Sequence, residues 1–387
     1  MHPERRYYDA IVVGARAAGA ATAMLLARQG QRVLLVDRGR YGADTLSTHG
    51  LMRAGVLQLH RWGLVDRVID AGTPPIRRTT FTYDTHQVVI TIKPSFGVDA
   101  LYAPRRTVLD PILVDAAAEA GAELRYGVTV TDVSRDDRGR VTGIVGHDED
   151  GRALAVDAGI VIGADGVRST IARQVGAPID RAGTGATAVV YGYWSDLDAD
   201  GYEWIYRPGS MAGIIPTNDG QACVFAGSTP TRLGAGGIDA LSRILAQASP
   251  EVASRVAAAT APQGVRRFTG LPGFLRRPWG PGWALVGDAG YWKDPISVHG
   301  LTDALRDAEL LARAIVGSEP GGPDRAEALA EYQTTRDRLS RPLFDVVDVI
   351  AAQRWTEGEI PDLLIQLSSA MAAEVEALAA LDAVAAP

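Results

Sequence analysis

Four residues near the start of the chain have the types and the spacing needed to bind a nucleotide. Gly14 can make a tight turn, Gly19 lets a helix pack closely, and Asp37 stands about twenty residues further on, where a carboxylate accepts hydrogen bonds from a ribose. Arg16 occupies the second glycine position of the fingerprint G-x-G-x-x-G. An arginine fits there if its backbone is regular and its side chain points away. The pattern predicts a nucleotide site without saying which nucleotide binds, although such glycine pairs also occur by chance.

The segments around these residues predict the βαβ unit that would position them. Residues 10–13 and 33–36 are short, apolar and β-branched, which is typical of buried parallel strands. Residues 20–28 have the small and apolar side chains of a buried helix, and Gly30 ends it. The first turn of that helix would direct free amide groups at a pyrophosphate.

The rest of the chain predicts a second domain inserted into the first. Helices are expected over residues 51–64, 108–120, 326–352 and 361–384, and strands over residues 124–133 and 141–156. Residues 77–94 alternate like an antiparallel strand pair, and residues 183–269 hold short strands separated by turns. The expected fold is an α/β, doubly wound Rossmann-type domain with an inserted, mostly antiparallel β-sheet domain and C-terminal helices.

These segments set the expected domain boundaries. The nucleotide domain is expected at residues 1–75, 97–182 and 276–345. The inserted substrate-binding domain is expected at residues 76–96 and 183–275, and a helical segment at residues 346–387.

Composition argues against several classes of protein. The net charge is −7, so no basic surface for nucleic acid is expected. Cys223 is the single cysteine, which excludes an intramolecular disulfide and a cysteine zinc site. We find neither a membrane-length apolar run nor a signal peptide at the start, and therefore expect a cytoplasmic protein without a membrane partner. The oligomeric state is left open.

Three separated motifs together resemble the group A FAD-dependent monooxygenases, the aromatic hydroxylase type. They are "VVGARAAG" followed by Asp37, "GADGVRSTIAR" at residues 163–173, and "LVGDAGYWKDPISVHGLTDALRDAELLA" at residues 285–312. The superfamily also contains geranylgeranyl reductases and flavin-dependent halogenases. The resemblance implies non-covalent FAD in the fingerprint site, and it disfavours NAD as the resident cofactor.

The resemblance also implies roles for residues of the second and third motifs. Asp288 is expected to bind the ribityl hydroxyls, the helix near Gly300 to face the flavin ring, and Pro295 to fix the adjoining loop. An arginine in the spacing R-x-x-L is expected against the FAD, which selects Arg106 with Arg105 as the alternative. The full set of expected cofactor-binding residues is Gly14, Arg16, Gly19, Asp37, Arg38, Arg106, Asp165, Gly166, Asp288, Pro295 and Gly300. For Asp165 the alternative is that it only caps a helix.

The expected activity is that of an FAD-dependent monooxygenase. Such enzymes use NAD(P)H and O2 to form a C4a-hydroperoxyflavin, which oxygenates a small, here aromatic or polyketide-like, molecule. The third motif departs from the usual hydroxylase pattern at residues 291–293 and at His299, and this leaves the reaction open. The alternatives are an FAD-dependent reductase of prenyl double bonds, a halogenase and a non-enzymatic redox sensor. The halogenase rests on Lys93, which only weakly resembles the lysine of flavin-dependent halogenases.

Candidate residues for the chemistry come from the same alignment. Lys293 would stabilise an anionic flavin or substrate, unless it is a solvated loop residue. His49 lies where the family's mobile loop approaches the flavin, and His299 would relay a proton, unless these histidines only pack. The expected substrate-pocket residues are Tyr193, Trp204, Tyr206 and Trp292. No metal site is expected.

Overall fold

The computed structural model describes residues 7–83 and 86–381. Its α-helices are α1 (Ala17–Arg28), α2 (Arg53–Arg61), α3 (Val65–Asp70), α4 (Arg106–Glu119), α5 (Thr170–Gln174), α6 (Pro230–Leu233), α7 (Ile238–Ala248), α8 (Pro250–Ala258), α9 (Gly300–Val316), α10 (Pro323–Ala352) and α11 (Ile360–Ala379). Its strands are β1 (Tyr7–Val13), β2 (Val33–Asp37), β3 (Arg78–Tyr83), β4 (His86–Thr91), β5 (Glu123–Tyr126), β6 (Thr129–Arg135), β7 (Val141–His147), β8 (Ala153–Gly163), β9 (Ile179–Ala182), β10 (Ala188–Ser195), β11 (Tyr202–Arg207), β12 (Ser210–Pro216), β13 (Gln221–Ser228), β14 (Arg266–Phe268), β15 (Phe274–Arg276), β16 (Trp279–Gly280), β17 (Trp283–Leu285) and β18 (Tyr291–Trp292).

The first sheet carries the expected nucleotide-binding motifs at one edge. Its strands lie in the order β16-β17-β8-β1-β2-β5, with β6 and β7 joined to it through β8. Val13 is in register with Val36 and with Gly163, and Leu285 is in register with Gly163 across parallel pairs. The carboxyl ends of β1, β2, β8 and β17 therefore meet, as in other doubly wound sheets.

Helices cover both faces of this sheet, because parallel strands must be buried on both sides. Apolar side chains of α1, α4 and α9 form the core on one face, and β6, β7 and α5 contribute to the core on the other. Most residues of α9 are buried, since it packs against the sheet, α1 and α10.

The second sheet is built from two separated parts of the chain. Its strands lie in the order β14-β10-β13-β12-β11-β3-β4, and every pair is antiparallel except β11 with β3. Helix α7 packs on one face, and residues of α10 and α11 share an apolar core with the other face. The predicted fold class is confirmed.

The element boundaries differ from the expected ones in a few places. The expected strand over residues 124–133 is interrupted at Gly127, which has a φ of 70°, and the strand over residues 141–156 is interrupted by a turn at Gly151, with a φ of 76°. Left-handed backbone of this kind ends strand pairing and favours glycine. Helix α11 is described to Ala379, and the expected end at Val384 lies outside the described residues.

Two features bear on the expected organisation. Helix α10 runs without a break across the proposed boundary between residues 345 and 346, and that boundary stays a prediction. Within residues 7–83 and 86–381, none of the helices combines the length and the apolar character required to cross a membrane.

Candidate active site

The two fingerprint glycines lie where a side chain would collide with the backbone. Gly14 has a φ of 109°, and a Cβ atom there would lie 2.4 Å from the carbonyl oxygen of Ala164. A Cβ atom on Gly19 would lie 1.8 Å from the carbonyl oxygen of Gly14. The turn out of β1 and its close approach to α1 therefore require glycine at both positions.

Arg16 fits the second glycine position in the way that the sequence required. Its backbone is extended, with φ −102° and ψ −170°, and α1 begins at the next residue. Its Nη1 atom lies 3.2 Å from a carboxylate oxygen of Asp110 and donates to the carbonyl oxygen of Ala43. Asp110 also accepts two hydrogen bonds from Arg106, of 2.9 and 3.0 Å. The sequence analysis missed Asp110, which its position one helical turn after Arg106 could have indicated.

Asp37 ties the fingerprint loop to the end of β2. Its carboxylate accepts hydrogen bonds from the backbone N–H of Ala15, at 2.7 Å, and of Gly39, at 2.6 Å. The residue is half-buried, and a contact between Asp37 and a ribose stays a prediction. The following residue, Arg38, is exposed.

Asp165 and Gly166 form the turn after β8. The Asp165 carboxylate accepts hydrogen bonds from the Ser169 hydroxyl, at 2.5 Å, and from the backbone N–H of Thr170, at 2.6 Å. Gly166 has a φ of 79°. These contacts cap the short helix α5, and a contact between Asp165 and a cofactor stays a prediction.

Asp288 lies at the same edge, just after β17. The residue is partly accessible, and within the described residues its carboxylate accepts no hydrogen bond. Burial raises its pKa to about 6, while Lys293 and Arg106 partly oppose this shift. A carboxylate without hydrogen-bond donors, at the carboxyl edge of the sheet, is suited to a ligand that brings hydroxyl groups. Gly14, Gly19 and Asp288 therefore fit the FAD that the motifs imply.

Lys293 lies in a buried cluster of charged side chains near the start of α9. Its ammonium contacts the carboxylate of Asp303, and only 3% of the lysine side chain is exposed. Burial and the nearby charge of Arg306 lower the pKa of Lys293 to about 7, whereas Glu374 and other carboxylates favour the ammonium. Lys293 is therefore not the solvated loop residue of the alternative interpretation.

Arg306 connects three helices within this cluster. Its guanidinium donates to Asp303 and Asp307 of its own helix, to Glu374 of α11 and to Ser340 of α10, at 2.7 to 2.9 Å. A buried charge is costly unless it is paired and hydrogen-bonded, and here each guanidinium nitrogen is.

His299 precedes α9 and is completely buried. Its Nε2 atom lies 2.5 Å from a Glu374 oxygen, and its Nδ1 atom has no hydrogen-bond partner among the described residues. Burial lowers the pKa of His299, although Glu374 opposes that shift. His299, Asp303 and Glu374 place ligand atoms within 4.8 Å of one another, but Lys293 and Arg306 already pair with the carboxylates. The group suits an ion-pair network better than a metal centre.

His49 lies in the loop between β2 and α2 and has a positive φ of 66°, an uncommon conformation for histidine. Its Nε2 atom is 2.5 Å from the Tyr193 hydroxyl, and the Arg105 guanidinium stacks 3.6 Å from the centre of the Tyr193 ring. Burial and the charges of Arg105, Arg106 and Arg266 hold the pKa of His49 well below its usual value. We expect a neutral imidazole there.

A cavity of about 100 Å³ separates this loop from the second sheet and the segment after β18. The residues that line it are Leu46, Ser47, Thr48, Val189, Tyr191, Met211, Phe225, Phe268, Trp292, Pro295 and Val298. Of the expected pocket residues Trp292 is among them, whereas Tyr193 contacts His49, Trp204 donates to Thr79, and Tyr206 packs on Trp355. Their role in binding a substrate stays a prediction.

The doubly wound sheet and the glycine-lined turn after β1 are those of a dinucleotide-binding domain, and the family shows that the chain is an FAD-dependent oxidoreductase. Residues 7–346 match the FAD binding domain family, and the chain belongs to that family. The cofactor is FAD, as the resemblance implied.

Two curated relatives match most of the chain. It is 29% identical over 321 residues to the menaquinone reductase of Mycolicibacterium smegmatis, covering 79% of this chain and 75% of that protein. It is 30% identical over 350 residues to digeranylgeranylglycerophospholipid reductase 2 of Methanopyrus kandleri, covering 86% of this chain and 81% of that protein.

A solved structure, that of PqsL from Pseudomonas aeruginosa, described as a probable FAD-dependent monooxygenase, has the same fold. The TM-score is 0.73 with 22% identity, and the match covers 95% of this chain and all of that one. Flavin-dependent halogenases share this fold as well.

Proposed function

We propose that this flavoenzyme reduces a carbon–carbon double bond of a small apolar molecule, with NAD(P)H as the source of electrons. The cavity carries the proposal, because its wall is apolar except for the hydroxyl-bearing residues Ser47, Thr48 and Tyr191. Such a wall favours an uncharged, hydrocarbon-rich substrate, since burial of apolar surface contributes roughly 25 cal/mol per Å². Two relatives are a menaquinone reductase and a digeranylgeranylglycerophospholipid reductase, which supports a reductive reaction on a hydrocarbon-rich molecule.

The residues of the chain would hold and shield the cofactor. FAD supplies hydride transfer when it is bound. The turn from Gly14 to Arg16 and the first turn of α1 would take its pyrophosphate, and Asp288 would accept hydrogen bonds from its ribityl hydroxyls. The cavity wall around Pro295 would keep water from the reacting carbon. The ammonium of Lys293, which Asp303 partly offsets, would favour the electron-rich form of the cofactor.

A second candidate is the monooxygenase that the motifs resemble, acting on an aromatic or polyketide-like molecule. The aromatic side chains in the cavity wall favour it, since aromatic rings pack well against one another: Tyr191, Phe225, Phe268 and Trp292. A halogenase and a non-enzymatic redox sensor have less support.

The fate of the substrate distinguishes these candidates. Small apolar compounds with conjugated or isoprenoid double bonds, and aromatic compounds of similar size, are screened for faster NAD(P)H oxidation by the FAD-loaded protein. Each compound that responds is then incubated without oxygen, and in parallel under oxygen-18 gas. The proposal predicts a product two mass units heavier than the substrate, formed without oxygen, and none with the apoprotein.

Oxygen-18 in the product would replace this proposal with the monooxygenase. Flavin reduction without conversion of any compound would favour a redox sensor. A halogenated product that appears only with halide would identify a halogenase.

A further inference from the structure

Tyr191 lines the cavity and contacts the loop on its opposite side. Tyr191 is in β10, and 2% of the residue is exposed. Its hydroxyl oxygen accepts a hydrogen bond from the backbone N–H of Ser47, at 2.9 Å. Tyr191 and Ser47 both line the cavity, so this contact joins the sheet to the loop at the cavity surface.

The same hydroxyl has a positive neighbour. Arg266 interacts with Tyr191, and it also donates hydrogen bonds to Asp44, at 2.7 Å, and to the carbonyl oxygen of Thr45. Arg266 therefore fixes the start of the loop that contacts Tyr191. Burial raises the pKa of Tyr191 although Arg266 opposes the shift, so the phenol keeps its proton at neutral pH.

A phenol has one hydrogen to donate and can accept hydrogen bonds at its oxygen. The Ser47 N–H already occupies an acceptor position. No residue within the described ranges, 7–83 and 86–381, accepts a hydrogen bond from the Tyr191 hydroxyl. A buried polar hydrogen without an acceptor is costly, and the cavity that Tyr191 and Ser47 line is a place where a ligand could supply that acceptor.

We propose that Tyr191 donates a hydrogen bond to an oxygen atom of the substrate, so that the substrate is an apolar molecule with a carbonyl-type oxygen. The inference rests on the proposed function only in placing the substrate in this cavity. Ser47 and Thr48 also carry hydroxyl groups there, but Tyr191 is the more acidic donor, and it has a backbone donor and a cation beside it. Both neighbours polarise its O–H bond toward donation.

A pair of probes with nearly the same shape tests the proposal. Acetophenone has a carbonyl group where α-methylstyrene has a carbon–carbon double bond, so the two differ chiefly in the acceptor oxygen. Their dissociation constants are measured with the oxidised, FAD-loaded protein from changes in the flavin absorption spectrum, without any reductant. The wild type should bind acetophenone more tightly, and Tyr191→Phe should weaken acetophenone binding about 3- to 10-fold while leaving α-methylstyrene unchanged.

Tyr202→Phe is the matched control. Its buried hydroxyl donates to the carbonyl oxygen of Tyr102 and does not line the cavity, so this variant should keep the preference for acetophenone. The infrared carbonyl band of carbon-13-labelled acetophenone gives a measurement that needs no variant. The band should move to lower wavenumber on binding to the wild type.

Several results would overturn the proposal. They are equal binding of the two probes, no saturable binding of acetophenone, an unshifted carbonyl band, or an equal loss of both probes in a folded, FAD-loaded Tyr191→Phe. Because no turnover is measured, failure of the proposed reduction would not change these results. An oxygenase with the same carbonyl preference would leave the role of Tyr191 intact.

Discussion

Arg16 and Asp110 form an ion pair, with 3.2 Å between Arg16 Nη1 and a carboxylate oxygen. Because Arg106 binds the same carboxylate, one anion faces two cations. The surplus positive charge lies beside the loop that is expected to take a pyrophosphate. The arginine at the second fingerprint position is thus anchored to α4, and the loop keeps the charge while its backbone stays regular.

Replacing Arg16 by glycine restores the usual fingerprint and removes one of these charges. We expect FAD to bind less tightly, by a factor below ten, because Arg106 still compensates Asp110. The loss should shrink as salt is added, since screening weakens the interaction of a partly exposed charge with phosphate. Titration of the apoprotein with FAD at low and high ionic strength measures this. Arg16→Lys is the control that keeps the charge, and a clear gain in affinity for Arg16→Gly would refute the electrostatic role.

Asp288→Asn should weaken FAD binding by roughly 1.5–3 kcal/mol, the contribution of hydrogen bonds to a charged group. Because burial raises the pKa of Asp288 to about 6, the wild-type carboxyl is largely protonated at pH 5 and ionised at pH 7. FAD affinity should therefore rise between pH 5 and pH 7 in the wild type and not in the variant. A folded Asp288→Asn with unchanged affinity and pH dependence would remove Asp288 from the site.

Glu374→Gln should destabilise the fold by about 3–5 kcal/mol, because it leaves the buried Arg306 with one anionic partner fewer. Glu376→Gln, on the exposed side of the same helix, is the control and should change little. The free energy of unfolding, measured with denaturant, gives both values. Equal stability of the two variants would show that Glu374 does not hold α11 to α9.

The pH dependence of stability gives a second measurement of Glu374. Burial opposes its ionisation, but His299, Arg306 and Lys293 hold its pKa down at about 2, below that of an unfolded glutamate. The unfolded chain therefore binds more protons between about pH 2 and 4.5, and this residue adds stability as pH rises through that range. The added stability is lost as pH falls toward 2, and Glu374→Gln should lack this part of the dependence.

Lys293→Met should lower the reduction potential of the bound flavin and slow its reduction by NAD(P)H. A unit charge several ångströms from the flavin, at an effective dielectric constant of about 20, changes the free energy of flavin reduction by a few kcal/mol at most. For a two-electron reduction, about 30 mV corresponds to roughly 1.4 kcal/mol. Asp303 offsets part of the lysine charge, so a shift of tens of millivolts is the expected size. Asp303→Asn should shift the potential in the opposite direction, and an unchanged potential in folded Lys293→Met would show that the lysine does not act on the flavin.

The fold followed from local patterns where residues close in sequence decide the structure. Buried strands around Gly14 and Asp37, and the alternating strands over residues 77–94, appear as expected. The family and the FAD cofactor are confirmed. The choice between reduction and oxygenation, the site roles and the domain boundaries stay predictions, because the same flavin domain serves several reactions.

The sequence by itself determined the βαβ unit, the glycines of its loop and the order of the three motifs, because these depend on periodicity and spacing along the chain. Only the tertiary structure decided the partners of the charged side chains. Glu374 contacts His299 from 75 positions away, and Tyr191 contacts Ser47 from 144 positions away. Such contacts form because packing of the helices and the second sheet brings distant segments together. A local sequence pattern does not predict which side chains of those segments come into contact.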